Sequence, residues 1–207
     1  MAKIYDKFIL ATKLGMTQIY TDAGKQVGVT LLLVAPNVVT QVKTDAKDGY
    51  AAVQLGTGMK KEKNLSKGLK GHLKASGTFR WLREFRLPAD KAMAVGDKVE
   101  ISQFAVGDVI RCSGNTKGKG FAGAVKRHGF HGAPASHGHG HVERHVGSIG
   151  QRFPQHTLRG LRGPGRDGSL RQTNRGLEVM AIDADAGILA VKGVVPGAKG
   201  SLIEISA

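Results

Sequence analysis

Short apolar and β-branched runs recur at both ends of the chain, at 8–12, 16–20, 27–35, 38–43 and 50–55. Turn-forming residues punctuate them: Leu14-Gly15, Asp22-Ala23-Gly24, Pro36-Asn37 and Asp48-Gly49. A second set follows at 98–102, 108–112, 177–182, 188–191 and 202–205, with Asp183-Ala184-Asp185-Ala186-Gly187 reading as a hairpin loop. Val95-Gly96-Asp97-Lys98-Val99 and Val106-Gly107-Asp108-Val109-Ile110 are near copies, each a turn feeding a strand; two copies do not make a solenoid. Many short strands at even spacing predict a mainly β fold, a closed or nearly closed β-barrel rather than a helical domain.

The pattern fails in the middle. From 111 to 175 the apolar positions keep neither a period of 3.6 nor one of 2. The character changes near residue 114 and changes back near 176. This predicts a barrel built from 1–113 and 177–207, interrupted by an extended loop over 114–176. A smaller interruption lies at 57–86, with nine Lys/Arg and two Glu. A helix over 66–75 is expected there, started by Ser66 and ended by Gly77, although Gly68 and Gly71 weaken it. Phe79, Trp81 and Phe85 should pack the piece back onto the barrel, giving a small basic α/β insertion over about 57–94.

Composition sharpens this division. The 207 residues carry 31 Lys+Arg against 16 Asp+Glu, a net charge of +15. Residues 111–175 hold twelve of those cations against Glu143 and Asp167, so +10 falls in 65 residues; the other 142 carry +5. The same stretch has nearly half the glycines and seven of the eight histidines. At 41% hydrophobic the chain can build a core, which excludes wholesale disorder. No apolar run approaches the ~20 residues that span a bilayer, so no membrane is expected. The start MAKIYDKFIL lacks a signal-peptide pattern, and a single Cys112 excludes an internal disulfide framework, both fitting a reducing cytoplasm. A surplus of this size needs an anionic partner, and nucleic acid is the first candidate.

The excursion opens on Asn115-Thr116-Lys117-Gly118-Lys119-Gly120-Phe121, where glycines permit close approach and the lysines suit a polyanion. It is not a P-loop, because Gly114-x3-Gly118-Lys119 has the wrong spacing and continues with Gly120. Gly118-x-Gly120-x-x-Gly123 matches the letters of the dinucleotide fingerprint, but Lys126-Arg127-His128-Gly129 stands where an apolar helix should continue. His128, His131, His137, His139, His141 and His145 raise a rival reading, a metal-binding protein or metal-dependent enzyme. Against it stand the absence of a nearby Cys, Glu143 as the one acid in reach, flexible glycines between, and the charge of Lys126, Arg127 and Arg144. Ser136, Ser148, His137 and Asp167 can be assembled on paper into a nucleophile set, without a Gly-x-Ser-x-Gly elbow to fix them. Cys112 ends an apolar run and reads as a small core residue. Neither an enzyme, a catalytic residue, a metal nor a cofactor is expected. The second half carries Arg152, Arg159, Arg162, Arg166, Arg171 and Arg175 among Gly160, Gly163, Gly165 and Gly168. Arginine suits bidentate phosphate contacts and base stacking. Tethered by strands at both ends, such a segment is suited to penetrate a folded RNA. A free DNA-compacting protein is the further alternative.

These residues also carry a family resemblance. Thr12-Lys13-Leu14-Gly15-Met16-Thr17-Gln18 and Val38-Val39-Thr40-Gln41-Val42-Lys43 resemble the start of the universal third large-subunit ribosomal protein. Lys117-Gly118-Lys119-Gly120-Phe121 with Val125-Lys126-Arg127-His128-Gly129-Phe130 resembles its most characteristic stretch. Gly147-Ser148-Ile149-Gly150 and Val191-Lys192-Gly193-Val194-Val195-Pro196-Gly197 continue the match, in order from residue 9 to 200. The length resembles the bacterial and organellar form. The resemblance implies a non-enzymatic role in the cytoplasm, in the ribosome: binding large-subunit ribosomal RNA early in assembly. It also implies a barrel like that of the elongation factors' second domain, with a long loop extending toward the peptidyl transferase centre. Neighbouring large-subunit proteins would be further partners. Lys117, Lys119, Lys126, Arg127, His128, His131, His137, Arg144, Arg152, Arg159, Arg162, Arg166, Arg171 and Arg175 are the expected RNA contacts. Gln151 matches the glutamine that some bacterial members carry methylated, which implies a glutamine methyltransferase as a partner. The chain departs from the family pattern at Leu158-Arg159-Gly160-Leu161-Arg162-Gly163-Pro164-Gly165, at Gln172-Thr173-Asn174-Arg175-Gly176-Leu177, and in His139 and His141.

Overall fold

The computed structural model describes residues 5–21, 23–74, 76–88 and 93–207. Along the chain the strands are β1 (Phe8–Tyr20), β2 (Gln26–Leu33), β3 (Asn37–Lys43), β4 (Ala52–Met59), β5 (Phe79–Arg86) and β6 (Lys98–Val99). They continue with β7 (Val109–Asn115), β8 (Gly120–Ala122), β9 (Gly165–Asp167), β10 (Arg171–Asp183), β11 (Ile188–Lys192) and β12 (Leu202–Ser206). Three short helices, α1 (Asp45–Asp48), α2 (Lys67–His72) and α3 (Ala124–His128), lie between them.

Six strands close an antiparallel barrel in the order β1-β12-β7-β10-β11-β2, the closed form the strand spacing predicts. Its interior is apolar: Ile9, Leu32, Cys112, Val179, Leu189, Ile203 and Ile205 are fully buried. Desolvation there pushes the Cys112 thiol up to about 12, so the group stays neutral. The expected turn at Leu14-Gly15 is instead a bulge, a register shift between Lys13 and Gly15 inside one continuous 13-residue strand. The bulge lies where β1 changes partners. Residues 8–12 pair with β12 along one edge, and residues 12–20 pair with β2 along the other.

That change of partner leaves one edge of β1 without a strand at Phe8 and Leu10, and two side-chain amides take its place. Gln103 accepts from the Phe8 N–H at 3.3 Å and donates to its carbonyl at 2.8 Å. Asn37 does the same for Leu10, at 3.1 and 3.0 Å, and donates a further bond to Ala35 O at 2.8 Å. Buried Lys13 meets the same need for satisfied polar groups, donating to the carbonyls of Val195 (2.6 Å) and Gly197 (3.3 Å).

A second sheet, ordered β5-β4-β3-β6, shares this core. Phe85 of β5 is buried and stacks on Phe8 at 4.9 Å, so the basic insertion does pack back through an aromatic residue. Phe79 and Trp81 lie over glycines of the neighbouring strand. A Cβ on Gly56 would come 2.5 Å from the Phe79 ring, and one on Gly58 3.0 Å from Trp81. The insertion combines β5 and the end of β4 with α2, which is capped as expected by Ser66, whose hydroxyl accepts from Leu69 N at 3.4 Å. The predicted strand at 98–102 gives way after Val99 to a 3-10 turn, Ile101–Gln103, which presents Gln103 to β1. Asp22 of the first turn, Ala75 at the predicted helix end, residues 89–92 of the insertion and residues 1–4 lie outside the described residues.

Two units separate along the chain: Met1–Thr116 with Arg171–Ala207, and Lys117–Leu170. The first contains the barrel and the four-stranded sheet. Among the described residues no helix is long and apolar enough to cross a membrane.

Candidate nucleic-acid interface

Lys117–Leu170 holds nine Lys/Arg against Glu143 and Asp167, a net +7. With so few large apolar residues turned inward, backbone contacts at glycine hold its two ends together. β8 and β9 form a short antiparallel ribbon with Gly120 opposite Asp167, Phe121 opposite Arg166 and Ala122 opposite Gly165. Lys119 N–H donates to Asp167 O at 2.9 Å just beyond it. Gly168 (φ 74°) passes so close to Lys117 that a Cβ would lie 2.0 Å from the Lys117 carbonyl oxygen. Gly118 meets Ser169 in the same way, at 2.6 Å from its hydroxyl. The Lys-Gly-Lys-Gly run thus lies at a close chain crossing, Gly118 against Ser169 and Gly120 at positive φ (72°).

A second pinch lies further out. Gly132 (φ 73°) abuts the Glu143 carbonyl, 1.9 Å from where a Cβ would stand, and Ala133 N–H donates to that same oxygen at 2.9 Å. It closes a loop over 133–143 that carries His137, His139 and His141, with His137 and His141 at positive φ (62° and 64°).

The expected contact residues fall into three groups. Lys117, Lys119, Lys126, His131, His137, Arg144, Arg152, Arg159, Arg162 and Arg166 are exposed within Lys117–Leu170. Lys119 is partly neutralised by Asp167, 3.5 Å away. Arg127 and His128 on α3 are only half exposed. Arg127 donates to Gly163 O at 3.1 Å, and its guanidinium lies against Gly165, where a Cβ would approach to 2.7 Å. In the structure it acts as an internal strut between α3 and β9. The His128 ring meets Phe130 edge-on at 6.3 Å. Arg171 and Arg175 stand on β10 in the barrel unit. Arg171 is ion-paired with Glu204, which also accepts from Arg83 Nε at 2.9 Å. Arg175 is exposed at the β10 bulge between Asn174 and Leu177.

Gln151 is exposed and borders a shallow cavity of about 240 Å³ lined by Ser148, Ile149, Gly150, His156, Leu158 and Leu161. The Ser148 hydroxyl donates to Gly150 O at 2.9 Å, and Asp167 is paired with Lys119, so the paper nucleophile set is dispersed among other partners. Among the described residues no three His, Cys, Asp or Glu side chains converge as a metal would require, the histidine run included.

Exposed apolar residues are what the reading of charge overlooked. Phe121 is 80% and Phe153 68% exposed, and Ile149, Leu158, Leu161 and Leu170 are exposed as well. The Arg152 guanidinium sits 5.7 Å from the Phe153 ring centroid. Aromatics set among cations in a segment without a core period are the signal that marks them.

Residues 89–193 match the family model described as Ribosomal protein L3. The chain is 46% identical over 201 residues to the large ribosomal subunit protein uL3 of Pelotomaculum thermopropionicum, covering 96% of this chain and 95% of that one. It is 46% identical over 200 residues to uL3 of Herpetosiphon aurantiacus (96% and 94%). It is 45% identical over 204 residues to uL3 of Leptospira biflexa (96% and 97%).

Proposed function

The chain belongs to the ribosomal protein L3 family and is a structural constituent of the large ribosomal subunit, and from that premise we propose that Lys117–Leu170 is the part that binds large-subunit ribosomal RNA directly. The observation that carries this reading is a net +7 displayed on a unit pinned at glycines, with ten of the expected contact side chains exposed. Such a unit gains more from neutralising phosphates than from any packing of its own. Lys117, Lys119, Lys126, Arg144, Arg152, Arg159, Arg162 and Arg166 are its phosphate contacts, with His131 and His137 beside them. Arg127 and His128 support the backbone that presents these residues, and Arg175 adds charge on β10. Binding of this kind nucleates assembly early, and the loop supports RNA near the peptidyl transferase centre. Gln151, with its amide exposed, is the substrate position for a glutamine methyltransferase. Neighbouring large-subunit proteins are the remaining partners.

Affinity of the full-length protein for a large-subunit ribosomal RNA fragment should fall steeply with salt. The expected slope is about 0.7–0.9 log units per log unit of salt for each phosphate neutralised. An affinity independent of salt would overturn the proposal.

A further inference from the structure

Phe121 is 80% exposed although it occupies the centre of the three-residue strand β8, and its neighbour Ala122 is buried. Side chains alternate across a strand, so the ring is held on the outer face by the same register that turns Ala122 inward. Arg166 lies directly opposite on β9 and is exposed. Opposed residues of an antiparallel pair share a face. Lys119 lies just outside the strand, beyond Gly120 at φ 72°, and its ammonium pairs with Asp167 at 3.5 Å. The ribbon beneath is fixed where Gly168 passes Lys117, so the backbone that presents the ring and Arg166 is set before a ligand arrives.

We propose that Phe121, with Arg166 beside it, is a stacking platform for one unpaired base of the RNA. The base lies on the phenyl ring, and Arg166 takes a phosphate next to it. The inference rests on the RNA-binding role proposed above and adds a demand on the partner: the RNA must offer a single-stranded nucleotide at this point. A nucleotide brings a π-face and an anion together, which matches an exposed ring beside a cation. An apolar protein side chain seated there would desolvate Arg166 without compensating its charge. In a duplex the base faces are already covered by stacking, so paired RNA offers the ring nothing.

The test uses the full-length protein in unaltered, Phe121→Ala, Phe121→Trp and Arg166→Ala forms. Each is titrated with the large-subunit RNA fragment, a single-stranded oligo(A) and a paired RNA duplex over a salt series. Phe121→Ala should weaken binding to the fragment and to oligo(A) about tenfold with no change in salt slope, because stacking releases no counterions. Phe121→Trp should retain affinity. In a Trp81→Phe background its emission should be quenched by oligo(A) and not by the duplex. Arg166→Ala should lower the slope by about one phosphate's share. If the unaltered protein shows the steep slope and Phe121→Ala binds as tightly, stacking is wrong and the RNA-binding reading stands. Unchanged RNA affinity together with lost retention of a large-subunit protein would make the ring a protein contact. Salt-independent binding by the unaltered protein would remove both readings.

Discussion

Asn37 occupies a position that the sequence presents as half of a Pro-Asn turn, yet its side chain does the work of a missing strand. Its amide satisfies both backbone groups of Leu10, in a core where nothing else replaces them. Asn37→Ala should therefore cost about 3 kcal/mol in urea denaturation, since each polar group left buried and unpaired costs about 1–3 kcal/mol. Gln103→Ala should cost less, because Gln103 is itself only partly buried whereas Asn37 is fully so. The role is illegible in the sequence because it spans 27 residues and depends on where β1 changes partners. A group around Tyr50 behaves likewise. The Tyr50 and Glu84 oxygens hold the Lys43 ammonium well above the ordinary lysine range. Burial works against ionisation of Glu84, but hydrogen bonds from Lys43 and Tyr50 outweigh it, and its carboxyl stays below its usual range. Stability from a depressed carboxyl is present above the unfolded value, about pH 4.3, and is lost as pH falls through the folded one. Lys43→Met should therefore flatten the fall in melting temperature between pH 5 and 3 relative to the unaltered protein, as thermal scans across that range would show.

Among the elements, legibility followed the apolar signal. β11 and β12, whose side chains fill the barrel, lie close to where their apolar runs place them. β10 instead begins at Arg171, six residues before its first apolar residue, because Arg171–Asn174 pair with β7 through the backbone ladder and a Thr173–Ser113 hydroxyl bond, none of which leaves an apolar signal. β8 and β9 were hidden for the same reason: three residues each, held by ladder bonds and glycine crossings. The crossing makes a prediction of its own. Gly168→Ala places a Cβ against the Lys117 carbonyl at positive φ, a strain of about 1–3 kcal/mol. RNA affinity should drop while the barrel's melting temperature holds, measured by titration and calorimetry on one preparation. An equal loss at Gly123→Ala, where a Cβ meets nothing within 4 Å, would show that the crossing is not what matters.

For the whole chain, uneven charge and the strand pattern gave the architecture, and the structure redistributed roles within it. Two of the arginines assigned to the excursion belong to the barrel unit, one of them paired with Glu204. Because Asn115 and Arg171 are cross-strand partners, a short Gly-Gly link can replace 117–170. That deletion should leave a cooperatively melting barrel and remove most of the salt-dependent RNA affinity; loss of the barrel's transition would mean the excursion supports the fold. The pairing of β1 with β12 has a consequence in time. A chain made from its N-terminus cannot close this barrel until its last strand has been synthesised. The basic segment is finished before β10, β11 and β12 exist, so during synthesis it emerges tethered to an open sheet. Whatever anion it meets first, it meets before the protein behind it has folded.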